Sequence, residues 1–125
     1  MQRNWDVIRK ILLKLKETSC PLDASGFAAT EGIDNQIMMY HFHQLSDAGL
    51  IKANIHESNM GDPLKPYGFA MAMKLTLRGH DFLDIIENEK VWTATKQIIT
   101  DKEGVLIYDV ILAVARRIIV SKVFD

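Results

Sequence analysis

Residues Ile33 to Ile55, IDNQIMMYHFHQLSDAGLIKANI, limit what this chain can fold into more than any other stretch. A helical pattern ends at a glycine, and a strand pattern follows with almost no loop. Asp34 can accept the free N–H groups of a first helical turn, so it is the expected N-cap. Ile37, His41, Leu45 and Ala48 recur at helical spacing and define the expected inward face. Gly49 can take the left-handed conformation that closes a helix, with Leu50 supplying the apolar contact after it. A recognition-type helix running directly into a strand is how the third helix of a winged helix enters its wing.

The flanking segments fit that frame. Asn4 is the expected cap of a first helix over Trp5–Glu17, with Trp5, Ile8, Ile11, Leu12 and Leu15 as its apolar stripe. Pro21 closes the connection after it. Residues 18–33 read as irregular, with a short strand at Gly26–Thr30 and a turn at Glu31–Gly32. The segment SGFAATEG is short and bracketed by glycines, so no second helix of a helix-turn-helix is expected there. Ile51–His56 and Phe69–Leu75 alternate apolar and polar residues as half-buried strands do. Between them, Glu57–Gly68 forms a long wing loop. Thr76 is the expected cap of a helix reaching about Asn88, followed by helices over Glu89–Thr100 and Val105–Val123.

The predicted fold class is therefore α+β: a winged-helix-like core over residues 1–88 and a C-terminal helical extension over 89–125, together one compact domain. The last helix is apolar on nearly every side, which predicts burial all round. A second copy of the chain is the natural cover, so Ile107, Tyr108, Ile111, Leu112, Val114, Ala115, Ile118 and Ile119 are the expected homodimer interface. The helix is too short and too charged to span a bilayer, which needs roughly 20 mainly apolar residues. No membrane partner is expected. The only cysteine, Cys20, excludes an internal disulfide and suits a reducing cytoplasm.

Net charge is −1, so the total gives no electrostatic reason to expect nucleic acid. Its distribution says more. Residues 1–17 carry five basic and two acidic side chains, whereas residues 18–50 carry four acids and no Lys or Arg. If duplex DNA is bound, the phosphates should meet Arg3, Arg9, Lys10 and Lys14 in the first helix and Lys52, Lys65 and Tyr67 around the wing. Gln36, Tyr40 and His43 on the central helix would add neutral readout at most. The same outward face, with Met39 and Tyr40 as anchors, suits a protein contact equally well.

Nothing here points to an enzyme, a cofactor or a metal. His41 and His43, two apart on a helix, point about 160° away from each other and cannot share an ion as an i, i+4 pair could. His41 reads as a hydrogen-bonded core histidine. Asp81, Asp84 and Glu87 read as a solvated acidic face. The expected partners are duplex DNA, a second copy of the chain, or another protein.

Asp6, Ile8, Arg9, Ile11 and Leu12 near the start are followed by Tyr40-His41, Ala48-Gly49-Leu50-Ile51, Leu75-Thr76, Gly79-His80, Phe82-Leu83 and Trp92. In this order and spacing, over about residues 1–100, the chain resembles domain of unknown function 2513, a family of bacterial and phage proteins. The resemblance implies a winged-helix-like fold and names no activity. The expected function is, by fold-level analogy, a winged-helix DNA-binding regulator held mainly through phosphate contacts; the alternative, favoured by the charge map, is an interaction or assembly module on the same scaffold without nucleic acid.

Overall fold

The computed structural model describes residues 3–18, 20–58, 61–101 and 108–124. Their elements run α1 (Trp5–Glu17), β1 (Leu22–Asp23), α2 (Ala24–Glu31), α3 (Asn35–Asp47), β2 (Ile51–Glu57), β3 (Tyr67–Leu75), α4 (Leu77–Ile86), α5 (Glu89–Asp101) and α6 (Tyr108–Phe124). The architecture is α+β and winged-helix-like, with one three-stranded antiparallel sheet in the order β1-β3-β2. Two compact units divide the chain, Met1–His80 and Asp81–Asp125.

In the first unit the helix ends follow from their capping residues. The Asn4 side chain accepts from the N–H groups of Asp6 and Val7 to open α1. The Asp34 carboxylate accepts from Ile37 N–H at 3.1 Å to open α3. At the far end of α3, Gly49 sits at φ +77°. Gly49 N–H donates to Ser46 C=O and Leu50 N–H to Leu45 C=O, each at 3.0 Å, which satisfies two carbonyls the helix would otherwise strand. Thr76 then ties the strand exit back onto this corner. Its hydroxyl donates to Gly49 C=O at 2.6 Å, its N–H donates to Leu50 C=O, and its Oγ1 accepts from Gly79 N–H. The approach is so close that a Cβ at Gly79 would run into the carbonyl oxygen of Leu50.

Two expectations need correction. Residues 24–31 are a helix, not a strand; the short strand lies earlier, at Leu22–Asp23, where it pairs with Ala72 and Met71 of β3. Asp23 caps α2 by accepting from Gly26 N–H at 3.0 Å, and Gly32 closes it at φ +67°. Only Ala24, Phe27 and Ala28 are buried on it, so its apolar stripe is too thin to stand out. The helix-turn-helix is therefore complete.

The phase of α3 is also shifted. Its buried arc is Met38, Met39, His41, Phe42 and Leu45, while Ile37 is 39% exposed. Met39, expected outward, is 1% exposed. The helix packs against α1, α2 and both long strands, and that surround buries an arc wider than one stripe, centred away from Ile37.

His41 is fully buried, as expected of a core histidine. Its Nε2 accepts from Asn4 N–H at 2.8 Å, and its Nδ1–H donates to Ile37 C=O at 2.7 Å. Since one nitrogen must accept and the other donate, the ring is the neutral Nδ1–H tautomer.

In the second unit, Asn88 caps α5 by accepting from Lys90 and Val91 N–H, and the buried Thr95 hydroxyl donates to Val91 C=O. Helix α6 packs on α5, and the Tyr108 ring meets Phe82 edge-on at 5.2 Å. Among the described residues of α6, Ile111 and Ala115 are fully buried, while Arg116, Arg117 and Val120 are exposed, so the protomer covers one side of the helix. The expected first turn of this helix, Val105–Ile107, lies outside the described residues. Among the described residues, no helix is long and apolar enough to cross a membrane.

Burial of His41 holds its pKa below the ordinary 6.5, and the hydrogen bond to Ile37 only partly offsets this. Above 6.5 the folded and unfolded chains both carry the neutral ring, so its contribution to stability is complete. Below 6.5 the unfolded chain takes up a proton that the folded chain refuses, and stability falls until the lowered folded value is passed. Thermal melts across this range should show the loss in the wild type and a shallower slope in His41→Phe. That variant should also lose about 1–3 kcal/mol at neutral pH, because Asn4 N–H and Ile37 C=O lose their partner.

Candidate functional site

Tyr67, the first residue of β3, gathers the outward side chains of α3. The Gln36 amide meets both of its backbone groups: Nε2–H donates to Tyr67 C=O at 2.8 Å, and Oε1 accepts from Tyr67 N–H at 2.9 Å. A side-chain amide here stands in for a neighbouring strand. The Tyr67 hydroxyl lies 3.0 Å from His43 Nδ1, with the two rings edge to face at 5.6 Å. His43 Nε2 in turn faces the Asp47 carboxylate at 3.5 Å. The phenol and the imidazole thus share a hydrogen bond, and the other ring nitrogen faces the carboxylate.

A carboxylate, an imidazole and a phenol in line could suggest an activated nucleophile. The electrostatics argue the other way. Burial first, then Glu57, Tyr40 and Asp47, push the Tyr67 pKa above its ordinary 10.0, so the phenolate is disfavoured. The chain of bonds is a tether between helix and wing.

Beside the tether lies an open groove of about 520 Å³, lined by Asp34, Gln36, Ile37, Tyr40, Pro63, Leu64, Pro66 and Tyr67. Its outer wall is an ordered turn of the wing loop. Asp62 C=O accepts from Lys65 N–H at 3.1 Å and Asp62 Oδ1 from Leu64 N–H at 2.9 Å. Ser58 N–H donates to Pro66 C=O at 2.7 Å. The turn holds Leu64 80% exposed, beside Ile37. An exposed leucine fixed by its own backbone is a feature that binding surfaces use.

Of the expected DNA contacts, Gln36, Tyr40 and Tyr67 come together in this groove, and His43 joins them through the Tyr67 hydroxyl. The cations do not. The Arg3 guanidinium lies over the Trp5 ring at 5.6 Å, Lys10 reaches Glu31 of α2 at 3.6 Å, and Lys14 reaches Glu17 at 3.9 Å. Arg9 is half-buried on α1. Lys52 stands across the ladder from Lys74, and Lys65 occupies the wing turn without lining the groove. Ile37, Pro63, Leu64 and Pro66 are the site residues that sequence reasoning missed. The run Pro63-Leu64-Lys65-Pro66 after Asp62 was their available signal, since proline after an Asx residue favours a turn. Among the expected interface residues of α6, Ile111 and Ala115 are buried within the chain. Tyr108, Leu112, Val114, Ile118 and Ile119 are half-buried, and Ile107 lies outside the described residues.

Comparison with known proteins places the chain in a family. The family described as "Hypothetical protein (DUF2513)" matches residues 2–105. A Haemophilus influenzae protein described as "Uncharacterized protein" is 40% identical over 122 residues, covering 95% of this chain and 96% of its own length. No solved structure matches the chain. The chain belongs to the DUF2513 family.

Gln36 is the piece of this site most open to test. Gln36→Ala leaves Tyr67 N–H and C=O without their side-chain partner, at a cost of about 1–2 kcal/mol for two half-buried hydrogen bonds. Amide hydrogen exchange should speed up at Tyr67 and its neighbours in the wing while the α1 amides stay protected.

Proposed function

We propose that this DUF2513 protein is a protein-interaction module on a winged-helix scaffold, and that it engages its partner through the groove between α3 and the wing loop. The observation that carries this reading is the prior engagement of the polar side chains of α3. Gln36 and His43 are held by Tyr67, and Asn35 accepts from the Ser25 hydroxyl of α2 at 2.9 Å. A helix that reads bases needs such groups aimed at base edges, with Arg or Lys nearby for phosphate. Residues 18–50 supply no cation, while Leu64 and Ile37 offer apolar anchors with fixed surroundings.

A second reading is a DNA-binding regulator holding duplex DNA through phosphates. The complete α2-turn-α3 pair supports it, as do Lys52, Lys65 and Lys74 along the hairpin. The contacts would come from Arg3, Arg9, Lys10, Lys14, Lys52, Lys65 and Tyr67. Titrating labelled genomic duplexes at low salt separates the two readings. The interaction reading expects no binding, or binding that is sequence-blind and vanishes with modest salt. It also expects Leu64→Asp, at a site already in solvent, to fold normally and lose a partner that the wild type retains. The DNA reading expects Lys65→Ala to weaken all sequences alike. Sequence-selective binding that survives raised salt and is lost on altering Tyr40 would overturn the interaction reading.

We also propose that the chain self-associates through α6. Support comes from its half-buried Leu112, Val114, Ile118 and Ile119 beside Val120, which is 53% exposed. A two-fold pairing of this surface is the simplest cover for it. Light scattering at tens of micromolar should return twice the 14.2 kDa chain mass. A monomer mass there would rule the dimer out.

A further inference from the structure

The charge around the α3–wing groove identifies the chemistry of its occupant, given the interaction reading above. Among the eight lining residues, Asp34 carries the one carboxyl group and none is Lys or Arg, while Asp62 and Lys65 of the wing turn stand outside the lining and offset each other in formal charge. Its Oδ2 accepts from Ile37 N–H, yet the residue stays exposed at the end of the groove. Two phenol rings, Tyr40 and Tyr67, line the same groove. Beyond them, Asp47 faces His43, and Glu57 stands opposite Tyr67 in the β2–β3 ladder. The negative field of Asp47 and Glu57 is felt at Tyr67, whose pKa they help raise. Aromatic faces with carboxylates behind them attract cations and repel phosphate or carboxylate ligands.

The opposite wall is apolar and already fixed. Pro63 and Pro66 flank Leu64, and the Asp62 turn and the Ser58–Pro66 bond hold that segment in place. Tyr67 is held by Gln36. A ligand entering here therefore orders little of the protein, which favours a short extended segment over a large folded surface.

We propose that this groove receives an exposed segment of a partner protein carrying Lys or Arg beside an apolar side chain. The apolar side chain seats against Ile37 and Leu64, and the cation sits among Tyr40, Tyr67 and Asp34. The walls and the charge thus select together: apolar contact gives affinity, and the carboxylates choose the sign.

The test uses the full chain, labelled with nitrogen-15, and an acetylated, amidated nonapeptide of three Lys-Leu-Pro repeats. Matched peptides replace every Lys by Gln or by Glu. The Lys peptide should shift the amides of Ile37, Tyr40, Leu64 and Tyr67, bind about tenfold tighter than the Gln peptide, and weaken as salt rises. The Glu peptide should leave those amides unmoved. Asp34→Asn keeps a good N-cap for α3, so the fold should hold while the advantage of Lys over Gln shrinks. Tyr40→Ala should weaken the Lys peptide by a similar factor. Equal binding of the Lys and Gln peptides would overturn the charge selection and leave the groove as a docking site. Shifts confined to other surfaces, or none at all, would overturn the groove as well. Dilution-dependent shifts of the same amides without peptide would assign the groove to a second copy of this chain, and shifts caused only by a DNA duplex would assign it to nucleic acid. Either result overturns the proposal.

Discussion

A single neutral imidazole determines how the first unit is put together. His41 has no exposure to water, so both ring nitrogens must find partners inside the protein, and they do. One partner is the backbone N–H at the cap of α1; the other is a carbonyl one turn back in α3. Rotating α3 by one residue would strand a buried donor and a buried acceptor together. The ring thus sets which arc of α3 faces inward, and by the same act turns Ile37 and Tyr40 toward the wing. The surface chemistry of α3 follows from a polar contact in the core.

That surface is unusual for its scaffold. The helix-turn-helix and wing are present in full, yet the features that commonly carry DNA recognition are spent or absent. The amide and imidazole of α3 hold the wing in place, and its acids serve as a helix cap at Asp34 and a histidine partner at Asp47. Cations lie on α1 and along the hairpin, several of them already in ion pairs or over a ring. Architecture and surface chemistry point in different directions, and surface chemistry is what a partner meets.

Much of the frame is legible in the residues alone. Asn4, Asp34, Gly49 and Thr76 are local signals whose chemistry needs no tertiary context, and each does what its type suggests. The two long strands, β2 and β3, are legible for the same reason, through alternation. Helix α2 is not, because it is only eight residues long, has Gly26 in its first turn, and buries just Ala24, Phe27 and Ala28, so it shows no apolar stripe despite its alanines; its cap Asp23 and its stop Gly32 were the readable parts. The phase of α3 escapes periodicity because an element packed on several sides buries an arc, not a stripe. The groove escapes too: it exists only because β3 begins at Tyr67 and the loop before it folds back as a turn, and both facts depend on contacts 31 residues apart in sequence. The C-terminal helix is the converse case, where broad apolarity in sequence meets a single buried stripe, Ile111 and Ala115, among the described residues of the protomer.

The amide bridge from Gln36 to Tyr67 bears on how the wing tolerates change. In an ordinary hairpin the turn sets which residues face each other, and a slip of one position turns every side chain to the wrong side of the sheet. Here the start of β3 is indexed from outside the hairpin, by a helix that cannot shift because of its own buried ring. A residue gained or lost in the stretch between Glu57 and Tyr67 would be taken up by the loop, leaving the ladder from Ile51↔Leu75 to Glu57↔Tyr67 in step. The wing can therefore change its tip, and with it what it touches, without renumbering its stem.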